Sequence, residues 1–194
     1  SQTFTLTVAP PGPSLTTASF ANAAGRAPAL SPCGLATATA SGLAPGIQGL
    51  VLQSNSFGPW ATTLGRDTVT VNSVAAPIYS VGTVNGLEQI TFQVPCEAPV
   101  GSVPVTINVS GGSATANIVL TAAGPGIFET AMSDGVNRAV VVRPTGEFVS
   151  LQNPARRGEV VRVLVTGLGP TTPVVATGAL PVPGSDALVT GQVI

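Results

Sequence analysis

The side chains able to do chemistry are few in this chain and widely spaced. Cys33 and Cys96 lie 63 positions apart, with no Cys-x-x-Cys pair and no His anywhere in the 194 residues. A metal would need more ligands and a catalytic thiolate would need a base, so a structural disulfide is preferred over two free buried thiols. Closing a loop of that length contributes about 4 kcal/mol in the chain-entropy account, and it points to an oxidising compartment. Glu88 and Glu97 flank the predicted strand Ile90–Val94. Two carboxylates about 5–10 Å apart could cleave a glycoside, whereas solvated carboxylates beside turns need no such role. Ser133-Asp134-Gly135-Val136-Asn137 offers oxygen ligands to calcium, but too few, and reads equally as a hydrogen-bonded turn. Phe57-Gly58-Pro59-Trp60 holds the only Trp. That ring is either an aromatic anchor for a sugar or a partner, or a plug closing one end of a sandwich. Asn108-Val109-Ser110 is a chance sequon on a predicted strand. Arg156-Arg157 is expected to pair with Glu159 or to cap a turn.

The residue types that are missing exclude as much. There is no Lys and no His. That removes a Ser-His-Asp triad, a His-bound zinc, a Schiff base, a Walker lysine and a Lys–Asn isopeptide crosslink. No catalytic residue, metal ligand or cofactor is assigned, and the chain is expected not to be an enzyme. Net charge is −1 and 8% of residues are charged, with Arg156-Arg157 the only adjacent basic pair, so no nucleic-acid partner is expected. No apolar run approaches the roughly 18 residues that span a bilayer, so no transmembrane segment is expected either. The chain begins at Ser1 and its only Met is Met132, which reads as a processed or excised piece.

The elements that must position these side chains are strands. Val (27) and Thr (23) are abundant, punctuated by 23 Gly and 18 Pro, and the helix formers Lys and Met are all but absent. Strands are predicted over Thr3–Val8, Leu35–Ser41, Gly49–Gln53, Thr68–Asn72, Ile78–Val81, Gln89–Val94, Val103–Val109 and Ala114–Thr121. After Gly124-Pro125-Gly126 they continue at Ile127–Thr130, Arg138–Arg143, Glu147–Leu151, Glu159–Thr166, Pro173–Thr177 and Ala187–Ile194. Residues 18–27 allow a short helical turn. Short strands at this spacing, separated by Asn-Gly, Asp-Gly and Pro-Gly pairs, indicate an all-β chain of tandem immunoglobulin-like β-sandwich domains.

Internal repeats sharpen the organisation. PCGLATATASGLAP (32–45) aligns with RGEVVRVLVTGLGP (157–170) at an offset of 125, placing Ser41-Gly42-Leu43 on Thr166-Gly167-Leu168. TFTLTVAPPG (3–12) aligns without gaps with NIVLTAAGPG (117–126) at an offset of 114. Thr3–Val8 therefore reads as the last strand of a domain otherwise missing. The expected division is an orphan or donor strand and linker over 1–12, a first sandwich over 13–122, and a second, unfinished sandwich over 123–194.

The stretches ASFANAAG (18–25), VTVNSVAAPIYSV (69–81), ITFQVP (90–95), GPGIF (124–128), NPARRGEVV (153–161) and VTGLGP (165–170) are carried in order. They resemble the uncharacterised C-terminal domain of the Solibacter paralogous family, a module of large secreted acidobacterial proteins. The resemblance implies tandem immunoglobulin-like domains, export and a surface setting, and it implies no reaction. Family members usually carry Gly or a hydrophobe at the positions of Cys33 and Cys96, and they usually complete the second sandwich.

An orphan strand with alternating Phe4, Leu6 and Val8, together with an unfinished sandwich, suggests strand donation between copies. The expectation is an extracellular or cell-surface subunit that forms a head-to-tail homopolymer, filling the Glu159–Ile194 region of a neighbour. The alternative is a carbohydrate-binding or adhesion module from a larger secreted protein, with glycans or cell-surface components as partners.

Overall fold

The computed structural model describes residues 12–54, 59–179 and 187–190. In chain order the first strands are β1 (Phe20–Asn22), β2 (Leu35–Thr39), β3 (Gly49–Leu52), β4 (Thr63–Leu64) and β5 (Asp67–Val71). They are followed by β6 (Val74–Ala76), β7 (Ile78–Val84), β8 (Leu87–Gln93), β9 (Gly101–Val109) and β10 (Gly112–Leu120). Two five-stranded antiparallel sheets result: one in the order β1-β2-β8-β7-β3, the other β10-β9-β5-β4 with β6 on β5.

Period-2 alternation builds the core. Val103, Val105, Ile107 and Val109 of β9 all point inward, as do Val69 and Val71 of β5 and Ile118 and Leu120 of β10. They meet Ala36, Ala38, Ile78, Val81, Ile90 and Phe92 from the other sheet in one apolar cluster. The arrangement is sandwich-like, two sheets closing over a shared interior. Phe20 meets the Phe92 ring edge-on, centroids 6.4 Å apart. Asn85 and Gly86 both take positive φ between β7 and β8, the backbone that a tight hairpin needs and that Asn-Gly supplies.

Residues 123–190 are built differently. Their strands are β11 (Gly126–Ile127), β12 (Glu129–Ala131), β13 (Asn137–Ala139), β14 (Val141–Val142), β15 (Arg162–Val163), β16 (Val165–Thr166), β17 (Thr171–Thr172) and β18 (Leu188–Val189). They form four separate two-stranded ladders: β11–β16, β12–β13, β14–β15 and β17–β18. Among the described residues of this region no hydrophobic side chain larger than Gly is buried, whereas Ile127, Phe148, Val160, Val163, Leu164, Val174 and Leu188 are exposed.

Several expectations need correction. The helical turn at 18–27 is a 3₁₀ turn over Thr17–Ser19 running directly into β1, because Phe20 and Asn22 are drawn inward beside β2. Glu147–Leu151 gives only a single bridge, Val142 to Phe148, and Pro173–Thr177 gives no strand, since Thr177 and Gly178 are held instead in a turn against the first region. Glu159–Thr166 is interrupted at Leu164. The strand expected over Thr3–Val8, with Phe4, Leu6 and Val8, lies outside the described residues, as do Phe57 and Gly58.

Phe92 is fully buried where both sheets and the Phe20 edge meet. Phe92→Ala should lower unfolding free energy by about 3–5 kcal/mol, read as a shifted denaturation midpoint at unchanged slope.

Candidate functional site

The polar chemistry of the molecule converges where residues 123–178 return to one end of the first two sheets. Asn22 is buried there at the end of β1. Its Nδ2 donates to Gly124 O at 2.7 Å, and its Oδ1 accepts from Ala24 N at 2.9 Å, so a single amide fastens the exit linker and closes its own turn. Leu35 N, at the start of β2, donates to Thr166 Oγ1 at 2.8 Å. Gly124 N donates to Gly167 O at 2.8 Å. The backbones approach so closely that a side chain on Gly167 (φ 75°) would run into the Gly124 carbonyl.

A second fastening lies at the disulfide. Cys33 and Cys96 are bonded, their Cα atoms 4.2 Å apart, tying the turn before β2 to the segment after β8. Cys96 N donates to Thr177 Oγ1 at 2.8 Å, and the Thr177 hydroxyl in turn donates to Glu97 Oε2. Gly178 N donates to Gln93 Oε1 at 2.7 Å, and Gly178 O accepts from Trp60 N at 2.9 Å. A cavity of about 180 Å³ remains under this strap, walled by the disulfide, Pro32, Val100, Pro170 and Val174.

The two carboxylates singled out from the sequence are not brought together. Glu88 Oε2 accepts from the backbone amides of Gly42 and, at 3.0 Å, Leu43, where it closes the Ser41–Leu43 corner. Glu97 lies beyond the far end of β8, a strand that carries the chain about 17 Å from Glu88 to Gln93 at 3.3 Å per residue. That exceeds the separation of a glycosidase pair. Beside Glu88 an open cleft of about 620 Å³ is lined by Thr39, Ser41, Gln48 and Thr83.

The remaining candidates resolve locally. Trp60 is half-buried and tilts against Tyr79, centroids 5.4 Å apart, with part of the Tyr79 ring in solvent. Asp134 takes both Arg138 guanidinium nitrogens, at 2.8 and 2.7 Å, and Val136 N at 3.1 Å. Those bonds, the guanidinium ones first, pull its carboxyl down to about 2. The calcium loop is thus closed by the protein's own donors. Asn108 Nδ2 donates to Thr68 Oγ1 at 3.0 Å. Glu159 does not pair with the Arg156 or Arg157 guanidinium as expected. It accepts from Arg156 N at 2.8 Å and pairs with Arg143 Nε at 2.6 Å. Arg143, unremarked in the sequence, is the partner because the β14–β15 ladder sets it beside the 156–159 turn. Among the described residues no helix is long and apolar enough to cross a membrane.

The Arg156 amide and then the Arg143 guanidinium hold the Glu159 carboxyl below its ordinary value of 4.5. A depressed carboxylate stabilises the fold at pH above its unfolded value, and that contribution disappears as pH falls through the lower, folded value. Residues 143–166 should therefore loosen as pH falls below the ordinary carboxylate value of 4.5. Glu159→Gln should flatten that dependence, measured as amide exchange over the 156–163 peptide. Compared with protein-family models, with curated proteins and with solved structures, the chain matches none.

Proposed function

We propose that this chain is a non-enzymatic extracellular structural protein, a surface or filament subunit that assembles head to tail by β-strand complementation. The observation that carries the reading is the bare apolar side of residues 127–165. Phe148 is 63% exposed and Val160 72% exposed, and the two-stranded ladders around them have no apolar interior of their own. Isolated two-stranded ladders are marginal in water, and an apolar sheet surface of this kind calls for cover.

The occupant is Thr3–Val8 of a second copy. At the offset of 114, Phe4 and Leu6 align with Ile118 and Leu120, which face the core of β10, while the intervening Thr5 aligns with outward-facing Val119. Thr3–Val8 thus carries the pattern of a last sandwich strand followed by the same Pro-Gly exit. Two antiparallel sheets over one core, repeated corners and the resemblance of the quoted stretches to the Solibacter module favour tandem immunoglobulin-like domains. The Cys33–Cys96 disulfide favours an oxidising, extracellular setting.

A second reading, a carbohydrate-binding or adhesion module, draws on the half-buried Trp60 and its partner Tyr79. One pair of variants separates the two. Negative-stain microscopy and light scattering of the full chain should show polymers with a regular axial repeat. Leu6→Asp, which sets a charge at the position aligned with core-facing Leu120, should reduce them to monomers. Monomers from the unaltered chain at every concentration would overturn the proposal. Under the second reading Leu6→Asp is silent, and Trp60→Ala abolishes retention on polysaccharide.

A further inference from the structure

The joint inside the chain has two complementary halves. One is an end: Asn22 and the 31–35 turn, with Leu35 N donating to Thr166 and Gly34 within 3.2 Å, measured from an added Cβ, of Gly167 Cα. The other is a corner: Thr166-Gly167 with the linker residues Gly124–Ile127 lying against it.

Each half occurs a second time. Ser41-Gly42 repeats the corner, Gly42 having φ 82° against 75° at Gly167. Its own linker, Gly12-Pro13, lies against it, 3.2 Å from an added Cβ on Gly42, and Ser14 N donates to Ser41 O at 3.3 Å. The 156–160 turn repeats the end. Glu159 N donates to Arg156 O at 3.0 Å as Gly34 N donates to Ser31 O at 3.1 Å, and Gly158 shares the positive φ of Cys33. The pairing of Val141 and Val142 with Val163 and Arg162 follows that of Phe20 and Ala21 with Ala38 and Thr37. That register places Arg143 at the position of Asn22, and the offset of 125 places Val160 at the position of Leu35.

The copies differ in cover. Thr166 is 8% exposed beneath the first region, whereas its counterpart Ser41 is exposed; Val160 is 72% exposed. Arg143 Nη1 is buried with no hydrogen-bond partner, where Asn22 Nδ2 has the Gly124 carbonyl. Charge is complementary as well: Glu88 lines the cleft beside Ser41, and Arg156 and Arg157 stand exposed on the free turn.

We infer that the free corner of one copy, Gly12 with Ser41-Gly42, seats on the free end of another, Arg143 with Arg156–Val160. The contact repeats between chains the joint found within one. Val160 N then donates to the Ser41 hydroxyl, as Leu35 N does to Thr166. Glu159 stands where the end has Gly34, so its Cβ holds the Gly42 backbone slightly farther off than Gly167 lies from Gly34, while its carboxylate stays tied to Arg143 and to Arg156 N. Because corner and end are different surfaces, the contact is heterologous and propagates rather than closing on a pair. This inference rests on the head-to-tail reading and adds the surface that sets the angle between successive copies.

The test mixes full-length Ser41→Cys with full-length Val160→Cys under mild oxidation, followed by non-reducing electrophoresis and peptide mapping. Up to about half of the chain should appear as a two-chain species linked through positions 41 and 160, because half of the junctions in an equal mixture bring the two cysteines together, and Ser41→Cys mixed with Val136→Cys should give none. A 41–160 link that survives in a Leu6→Asp background supports the joint while removing strand donation. Polymers without the link overturn the joint and leave strand donation standing. Neither polymers nor link overturns both.

Discussion

Close approach of backbone to backbone, with no side chain between, is the constraint on which the rest of the structure depends. Residues 123–179 touch the first two sheets through Gly124, Gly126, Thr166, Gly167, Gly169 and Gly178, and these are the residues of that stretch that are buried. Cβ atoms at Gly124, Gly126, Gly167 or Gly169 would lie within 3 Å of atoms already present. What holds the joint is therefore hydrogen bonding at short range, not apolar area. Its bonds are few, but they are shielded, and a buried amide left without its partner costs about 1–3 kcal/mol. Asn22 is central because one side chain satisfies both its own turn and the linker carbonyl.

The disulfide works in the same place by another route. It joins the turn before β2 to the segment after β8, and so fixes the ledge on which Thr177 and Gly178 are bonded. Asn22 and the Thr166 corner form one fastening, Thr177 and Gly178 the other. Two fastenings resist rotation where one would act as a pivot. A stiff joint suits the head-to-tail assembly proposed above, and glycines in the left-handed region keep its angle from being set by side-chain packing.

Seven strands of the first region were readable in the sequence to within a few residues, because alternation in β9 and β10 and the Asn-Gly turn before β8 state the pleat directly, whereas β1 was read as a helical turn and the short β4 and β6 were not read at all. The Gly-Leu-x-Pro corners were readable too, as a repeat. Beyond residue 123 the same alternation was misleading. Val and Thr in Glu147–Leu151 and Pro173–Thr177 match strand preference, yet strand preference measures packing against neighbours, and there few neighbours are present. The joint itself was hidden for a simpler reason. Asn22, Thr166, Thr177 and Gln93 are ordinary polar residues far apart in the chain, and only the fold brings them within bonding distance. Glu88 shows the converse: a conspicuous carboxylate whose work is to hold two amides of a corner.

The contrast between the two regions bears on assembly. In the first, burial of about twenty apolar side chains supplies the driving force, at roughly 25 cal/mol per Å² of apolar surface removed from water. In the second, comparable residue types are present, Ile127, Phe148, Leu164 and Val165 among them, but they face solvent. A sequence that supplies hydrophobes in strand register and leaves them uncovered has its stabilising energy still to gain, and a partner strand is the cover whose geometry matches an open ladder. The repeat makes the same point from the other side. A corner that is covered at Thr166 and bare at Ser41 carries one bonding pattern and has two occasions to use it.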